Sequence, residues 1–571
     1  MKSKSLADLP EVFLPFETIK IEGSSVIFFN EDFNSLITEA DLLHNYSYVV
    51  TCISLDNISS RDRKLFFAER YGGDGILTNG GGGRCGFDGK FQVKGIGPNK
   101  LVGKGVEESH ANGFLSLNLA IYEAVWSEII HFSLPYGAVR AVAILDTDTD
   151  FIEQQETKPR SLLIREPSVR PAHFIRATFF KEDHHLKLSE DARRVASAIS
   201  RLDEFLPKTS RNGAVCFQGD PLEDGLVELA KRFASQFAAA RAKGIAHSNV
   251  SASNVAMNGA WLDLSRTMMF TLLIADDLAD IKKFNQEYVN AIESIRSICF
   301  FLGKYLLVDK QRIDQLFLKV VEEFAKTYER QLHFYNAIQA GFPRFLLTEL
   351  IESSAFKEFS IDLQKTLELD EFSIQYLAKR LGWDGYEHWR GRLYLALHKN
   401  IACHFAMGDF EKLGVATDLA KKLTSSFNNL TSLVMTKGES KGFSRKNIGL
   451  YLIINATRLN RTHSLLMHLE TAINEAVIVG KIGEKPNNHQ ALIEEAVMVA
   501  TLTLDDGDAT NIAFWLSTSI RIWFSATSGL FFIDGVTCQT VSFEELIEMR
   551  DSNSEINSAL SFYGKILEAV L

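Results

Sequence analysis

The stretch 244-GIAHSNVSASNVAMNGAWLDLSRTMMF-270 follows directly on the segment 221–243, which begins 221-PLEDGLVELAKRFASQF-237 and in which Leu226, Leu229, Phe233 and Phe237 fall on one helical face. Pro221 suits a first helical turn. An amphipathic helix over 221–243 therefore delivers the chain into a loop, and in that loop Asn254 stands nine residues before Asp263, across a hairpin with a glycine at its tip. Amide and carboxylate oxygens are hard ligands that can hold magnesium against phosphate. His247 opens the loop behind a buried helix and reads as an orienting residue.

A phosphate site also needs a cation and bare backbone, and both lie upstream in 71-YGGDGILTNGGGGRCGFDGKFQVKGIG-97. Without Cβ atoms, the backbone N–H groups of Gly80, Gly81, Gly82 and Gly83 can approach phosphate oxygens. Taken alone, the same glycines read as a loose hairpin turn. Along 91-FQVKGIG-97 side chains alternate, so Gln92 and Lys94 share one face while Phe91 and Val93 pack on the other. Lys94 then faces whatever sits under the glycine loop. The pattern 115-LSLNLAIYEAVWSEIIHF-132 predicts a helix that stops at Pro135, with Glu123 and Glu128 set among apolar residues. Either carboxylate can hold the lysine, or each can belong to a solvated face. Glycine hairpin, lysine on a strand, glutamate on a helix, then helix, loop asparagine and strand-end aspartate is the order of parts in a protein-kinase-like phosphate site.

At this point the chain resembles the SelO (YdiU) family, kinase-like proteins that transfer AMP to side-chain hydroxyls. The segments that carry the resemblance are 71-YGG, 93-VKGIG-97, 122-YEA-124, 163-LIREPSVRPAHFIRATFF-180, 247-HSNVSASN-254 and 262-LDLS-265, spread over roughly residues 70 to 270. The resemblance implies ATP and Mg²⁺ as cofactors. Lys94 would bind the nucleotide phosphates and pair with Glu123, while Asn254 and Asp263 would hold magnesium. In that family the nucleotide lies reversed, with arginines on the buried phosphates, which implies Arg165 and one of Arg170 or Arg176. Ser253 departs from the pattern, because the family has aspartate there as candidate base and serine cannot serve as one at neutral pH. Either the domain is a catalytically inactive pseudokinase scaffold, or its acceptor is a carboxylate, already an anion at pH 7.

A second resemblance, carried by RCGFDGKFQVKGIG, PYGAVR and REPSVRPAHF, is to MchC/MceJ-type proteins of siderophore-microcin maturation. It implies a small acyltransferase-like partner and a precursor peptide whose C-terminal carboxylate is activated. The SelO resemblance implies the fold class: α+β, with a protein-kinase-like (SelO-type) domain over residues 1–300, followed by a mainly helical region over 301–571. The N-lobe would cover about 20–180 and the C-lobe would start over about 181–300.

Composition sets the frame. The 571 residues are 46% hydrophobic and 23% charged, with net charge -11 and pI near 5.8, which lacks the basic footprint of a nucleic-acid binder. The start has no apolar leader core, and the apolar run 511-NIAFWLSTSIRIWFSATSGLFFIDG-535 is broken by Arg521 and hydroxyl residues, so no membrane insertion and a soluble cytoplasmic protein are expected. Six separated cysteines predict reduced, mostly buried thiols.

Short strands are expected between Val26 and about Ile164, and helices over 189–207, 310–332 and 411–423. A polar interruption is expected at 436–447. Three other motifs are weaker. The run 141-AVAILDTDTD-150 imitates a phosphatase nucleophile pair at Asp146 and Asp148 but reads better as an acidic hairpin turn. The string 438-GESKG-442 reads as a solvated loop, because a nucleophile elbow needs a core strand before it. The pairs 184-HH-185 and 463-HSLLMH-468 lack metal spacing, and Trp383 and Trp389 read as core.

Overall fold

The computed structural model describes residues 3–50, 62–73, 81–102, 111–176, 191–210, 219–270, 278–368, 386–402, 407–482, 489–507, 510–535 and 538–564, together with Gly213 and Leu567. Mixed helix and sheet is the architecture, and the main sheet is antiparallel throughout. Its strands are β1 Phe13–Lys20, β2 Ser25–Phe29, β3 Tyr48–Val49, β4 Arg63–Glu69, β5 Cys85–Phe87, β6 Gln92–Lys94, β7 Ala141–Glu153 and β8 Glu156–Arg165. They lie in the order β2-β7-β8-β6-β5-β4-β1-β3. The sheet thus starts before Val26, where it was expected to begin. β1 hides behind Pro15 and Glu17, and β5 behind the glycines around it.

Register decides what faces the site. Gln92 pairs with Arg165, Val93 with Ile164 and Lys94 with Leu163. Val93 and Ile164 join Leu162, Val142 and Leu145 in a core on one face of the sheet, so Gln92 and Lys94 emerge on the other. The aspartates of 141–150 do not form a turn. β7 runs through them with a register shift between Asp146 and Asp150, Asp148 takes a left-handed φ of 52°, and the reversal falls at Gln154 and Gln155. A bulge adds residues to one strand without ending the ladder, which alternation alone does not reveal.

Helices cover the sheet. α1 is Glu39–Tyr46, and α2, Leu117–Ser133, is capped by Ser116, whose hydroxyl accepts from the Leu119 N–H. The helix expected over 189–207 is two pieces among the described residues, α3 Asp191–Ile199 and α4 Leu202–Phe205. α5, Pro221–Lys243, begins at the Asp220 cap with Pro221 at its first position and ends on Gly244, at a φ of 72° that suits glycine. Beyond it β9 Ile245–Ala246 pairs with β10 Met268–Met269.

The remainder begins with α6 Leu278–Asn285, α7 Tyr288–Lys304, α8 Lys310–Gln339, α9 Arg344–Leu347, α10 Ser354–Leu367, β11 Tyr386–Glu387 and α11 Trp389–Ala402. It continues through α12 Met407–Lys412, α13 Thr417–Ser440, α14 Arg445–Arg458, β12 Arg461–Thr462, α15 Ser464–Met467, α16 Leu469–Ile482 and α17 His489–Leu504. The segment 411–423 is therefore broken between two helices. The 436–447 interruption shrinks to a turn after Ser440. Within it Gly438 is no loop residue: a Cβ there would lie 2.0 Å from Ile448 Cδ1, so bare backbone lets α13 and α14 approach.

The apolar run after residue 510 is not helix but part of a four-stranded meander, β13 Asn511–Leu516, β14 Arg521–Ser525, β15 Phe531–Asp534 and β16 Gln539–Val541, followed by α18 Phe543–Glu548 and α19 Ser554–Tyr563. Trp389 is buried, as expected, while Trp383, His184 and His185 lie outside the described residues. Of the described cysteines, Cys85 and Cys299 are buried thiols and Cys538 is exposed. No helix among the described residues is long and apolar enough to cross a membrane.

One hydrophobic core runs from Leu6 to Leu567, on both sides of residue 300. A polar knot fastens its centre. Lys243, at the end of α5, donates to the carbonyls of Ser133 and Leu504 at 2.6 Å each and pairs with Asp506 at 2.8 Å, tying the ends of α2, α5 and α17 together. Burial pushes the Lys243 pKa down against the pull of Asp506. Removing one partner leaves the other charge buried, at a cost of about 3–5 kcal/mol. Lys243→Ala should therefore lower the urea unfolding midpoint far more than Lys441→Ala at the exposed pair with Glu349. Equal midpoints would show that the knot contributes nothing.

Candidate functional site

Beneath the sheet, Lys94, Arg165 and Arg170 converge on the Asp263 carboxylate. Lys94 Nζ lies 3.0 Å from Oδ1, Arg165 Nη1 2.7 Å from the same oxygen, and Arg170 Nη1 3.5 Å from Oδ2. Glu123, projecting from the middle of α2, holds Lys94 through a direct ion pair, and Arg165 Nη1 lies 3.9 Å from its other oxygen. Glu128, its rival in the sequence, pairs with Arg140 instead. Burial alone would raise the Asp263 pKa, but the charges of Arg165, Lys94 and Arg170 outweigh it and hold the carboxyl well below 3.8. Side-chain exposure is 2–4% for the three cations and for Glu123 but 20% for Asp263, so Asp263 is the member that meets solvent.

Asp263 sits at φ 56°, a left-handed conformation that aspartate tolerates better than most residues. A hairpin sets it there. Val255 bridges Trp261, the Ala256 N–H donates to the Ala260 carbonyl, and Gly259 turns the tip at φ 98°. The Leu262 N–H donates to the Asn254 carbonyl, which brings Asn254 alongside the residue before Asp263. The Asn254 amide donates to the Asn249 carbonyl at 2.8 Å, and its Oδ1 accepts only a 3.3 Å bond from the Ser253 hydroxyl. Ser253 carries no base; its Oγ lies 2.9 Å from Ser251 Oγ, and its carbonyl accepts from Arg170 Nη1 at 3.0 Å.

A second layer, which the motifs did not disclose, holds the arginines. Gln92 Oε1 accepts from Arg165 Nε and from Arg170 Nη2, while its amide donates to Glu69 at the end of β4. His173 Nδ1 accepts from the Arg170 backbone N–H, so its Nε2–H faces Glu69 at 3.1 Å. Burial lowers the His173 pKa, which keeps the ring neutral. Three cations thus meet the three carboxylates Glu69, Glu123 and Asp263. Tyr71 covers Arg170, its ring centroid 5.1 Å from the guanidinium carbon.

One expected site residue stands elsewhere. Arg176 lies 3.6 Å from Asp191 at the start of α3, so Arg170 is the second arginine on Asp263. Gly82 and Gly83 do not present free amides. The Gly82 N–H donates to the Glu69 carbonyl at 3.0 Å and the Gly83 N–H to the Gly81 carbonyl at 3.1 Å, while a Cβ on Gly81 would lie 2.3 Å from the Glu69 carbonyl oxygen. Gly81 is therefore packed against β4, and Gly83 against Val102, where a Cβ would lie 3.0 Å from Cγ2. Gly80 lies outside the described residues.

Glu287, the residue preceding α7, is a further member. Its carboxylate accepts from the backbone N–H groups of His247 at 3.1 Å and Ser248 at 2.6 Å, fixing the loop where Ser248 turns at φ 61°. His247 Nε2 in turn lies 3.2 Å from the Asn254 carbonyl, the orienting role its position suggested. No spacing rule links Glu287 to the loop 39 residues before it, which is why the sequence did not disclose it.

No protein-family model matches the chain, and no curated protein is significantly similar to it. Chemistry must speak for the cluster. Arg165 Nη2 and Arg170 Nε are buried donors without an acceptor among the described residues, and such donors are costly unless something accepts from them. A polyphosphate supplies many acceptor oxygens in one place, so the residues present fit one. For magnesium, the Asp263 carboxylate and Asn254 Oδ1 are suitable hard oxygens, since this ion commonly takes one or two protein ligands and the phosphates. Among the described residues no group of three or more His, Cys, Asp or Glu is placed to hold a metal by itself.

Burial pushes the Glu287 pKa from 4.5 up to about 7, against the two N–H bonds it accepts. Between those values the folded chain binds the proton that the unfolded chain has lost. Stability from this group is therefore fully present below about pH 4.5 and falls as pH rises to about 7, by on the order of 3 kcal/mol. Thermal unfolding from pH 4.5 to 8 should show Glu287→Gln gaining on the wild type across that window. Parallel profiles would remove Glu287 from the loop's support.

Proposed function

We propose that the cluster binds ATP with Mg²⁺ on a protein-kinase-like, SelO-type scaffold, and that the protein transfers AMP to a carboxylate in peptide modification. One observation carries the reading: a single partly exposed carboxylate, Asp263, is gripped by three buried cations, one of which, Lys94, is also held by a helix glutamate. Lysine with helix glutamate and a metal-binding aspartate recur at phosphoryl-transfer sites. Lys94, Arg165 and Arg170 would hold the phosphate oxygens, and Asp263 with Asn254 would hold magnesium, which would neutralise phosphate charge.

The missing base at Ser253 selects the acceptor. A carboxylate oxygen attacks the α-phosphorus, the bond from that phosphorus to the bridging β-oxygen breaks, and pyrophosphate leaves with the electron pair. No proton has to move, so a hydroxyl at position 253 is no obstacle. The products are an acyl-adenylate and pyrophosphate. Activation of a precursor peptide's C-terminal carboxylate in siderophore-microcin maturation, in the cytoplasm and beside a small acyltransferase-like partner, fits this chemistry.

A scaffold reading has its own support, since Gly82 and Gly83 spend their amides internally and Ser253 offers no base. Turnover separates the two. Incubated with ATP, Mg²⁺, hydroxylamine and a library of free-carboxylate peptides, the protein should release pyrophosphate rather than ADP and form hydroxamates. Lys94→Ala should abolish both products. Absence of pyrophosphate and hydroxamate from the wild type would leave the scaffold.

A further inference from the structure

Beside the Asp263 loop lies a groove of about 1050 Å³. One wall is the first turns of α2, with Leu119 and Tyr122, and the opposite wall is α16, with Ile473 and Val477. Its floor includes Ser248 from the loop that Glu287 fixes, and Ser265 and Arg266 from the segment just after Asp263. The groove therefore joins the C-terminal helices to both loops of the candidate site. The walls are fastened together by a hydrogen bond between Asn118 of α2 and Asn474 of α16.

The charges around the groove are not equivalent. Lys158 is paired with Glu153 at 2.8 Å and lies 3.9 Å from Glu156. Glu470 occupies the first turn of α16, where a carboxylate meets the positive end of the helix. Arg266 is exposed and makes no hydrogen bond or ion pair among the described residues, three positions from Asp263. A guanidinium with free donors beside an apolar trough matches a ligand that has an apolar chain and one planar anionic end.

We infer that this groove receives the acceptor, the end of a peptide chain, with apolar side chains against the exposed Leu119 and Ile478 and the terminal carboxylate on Arg266. This inference rests on the nucleotidyl-transfer reading, and it gives the C-terminal region a part in it. α16 forms half of the acceptor site, and Arg266 is a positioning residue that brings the carboxylate toward the nucleotide. The size agrees, since about 1050 Å³ lies at the upper end of the range for small-molecule pockets and accommodates several residues of chain.

The test uses the full chain and a mixed library of hexapeptides labelled at the N-terminus, in one copy with free C-terminal carboxylates and in another amidated. Immobilised protein should retain peptides from the free-carboxylate library and release those from the amidated one. Loss of a charge-assisted bond predicts ~10-fold weaker retention by Arg266→Ala, at an unchanged unfolding midpoint because the side chain is exposed. Ile478→Arg, at an exposed lining position of the same helix, should also lose retention. Equal retention of amidated peptides, retention unchanged in both variants, or no retention by the wild type would each overturn the assignment. ATP binding is measured separately on the wild type. Peptide retention without nucleotide binding would leave the groove standing and remove the nucleotidyl-transfer reading instead.

Discussion

Everything at the candidate site depends on how three buried cations are kept charged away from water. Taking such ions out of solvent costs several kcal/mol each, and only opposite charge and hydrogen bonds in good geometry offset that. Here the compensation is layered. Glu123 answers Lys94, Glu69 stands behind Gln92 and His173, and Asp263 touches Lys94, Arg165 and Arg170 together. Of these carboxylates Asp263 alone is open to solvent and sits on a left-handed hairpin end. It is the member positioned to exchange partners with the proposed polyphosphate and metal.

The rest of the fold holds the other members of the cluster still. Lys94 and Gln92 come from a three-residue strand whose register against β8 places Arg165 opposite Gln92. Glu123 comes from α2, which is buried along most of its length and packs against α16 and α17. The C-terminal helices therefore contribute to the site through α2, and the Lys243–Asp506 knot ties the far end of that helix to α5 and α17. Glu287 does the corresponding work for the loop of His247 and Asn254.

Much of this was legible where local chemistry and period coincide. Strict alternation put Gln92 and Lys94 on one face, the Pro221 start and Gly244 stop bounded α5, and the spacing of Asn254 and Asp263 around a glycine gave the hairpin. What failed to show is set by contacts between distant residues. Glu69 and His173 are 104 residues apart, and nothing in either neighbourhood announces the pair. The glycines are ambiguous for a physical reason: at Gly81 bare backbone serves close packing against the Glu69 carbonyl, as well as it could serve phosphate. Arg170 and Arg176 could be separated only by where the chain turns after β8. The meander after residue 510 was hidden because its strands are short and follow a long helical series.

The central claim is that Asp263 stands among Lys94, Arg165 and Arg170 where nucleotide phosphates and magnesium bind. Calorimetric titration with ATP, in the presence and absence of Mg²⁺, addresses it most directly, on the wild type, Lys94→Ala and Arg165→Ala. The account predicts saturable, magnesium-dependent binding to the wild type and its loss in both variants. Heat of binding that is absent from the wild type, or undiminished in the variants, would contradict it.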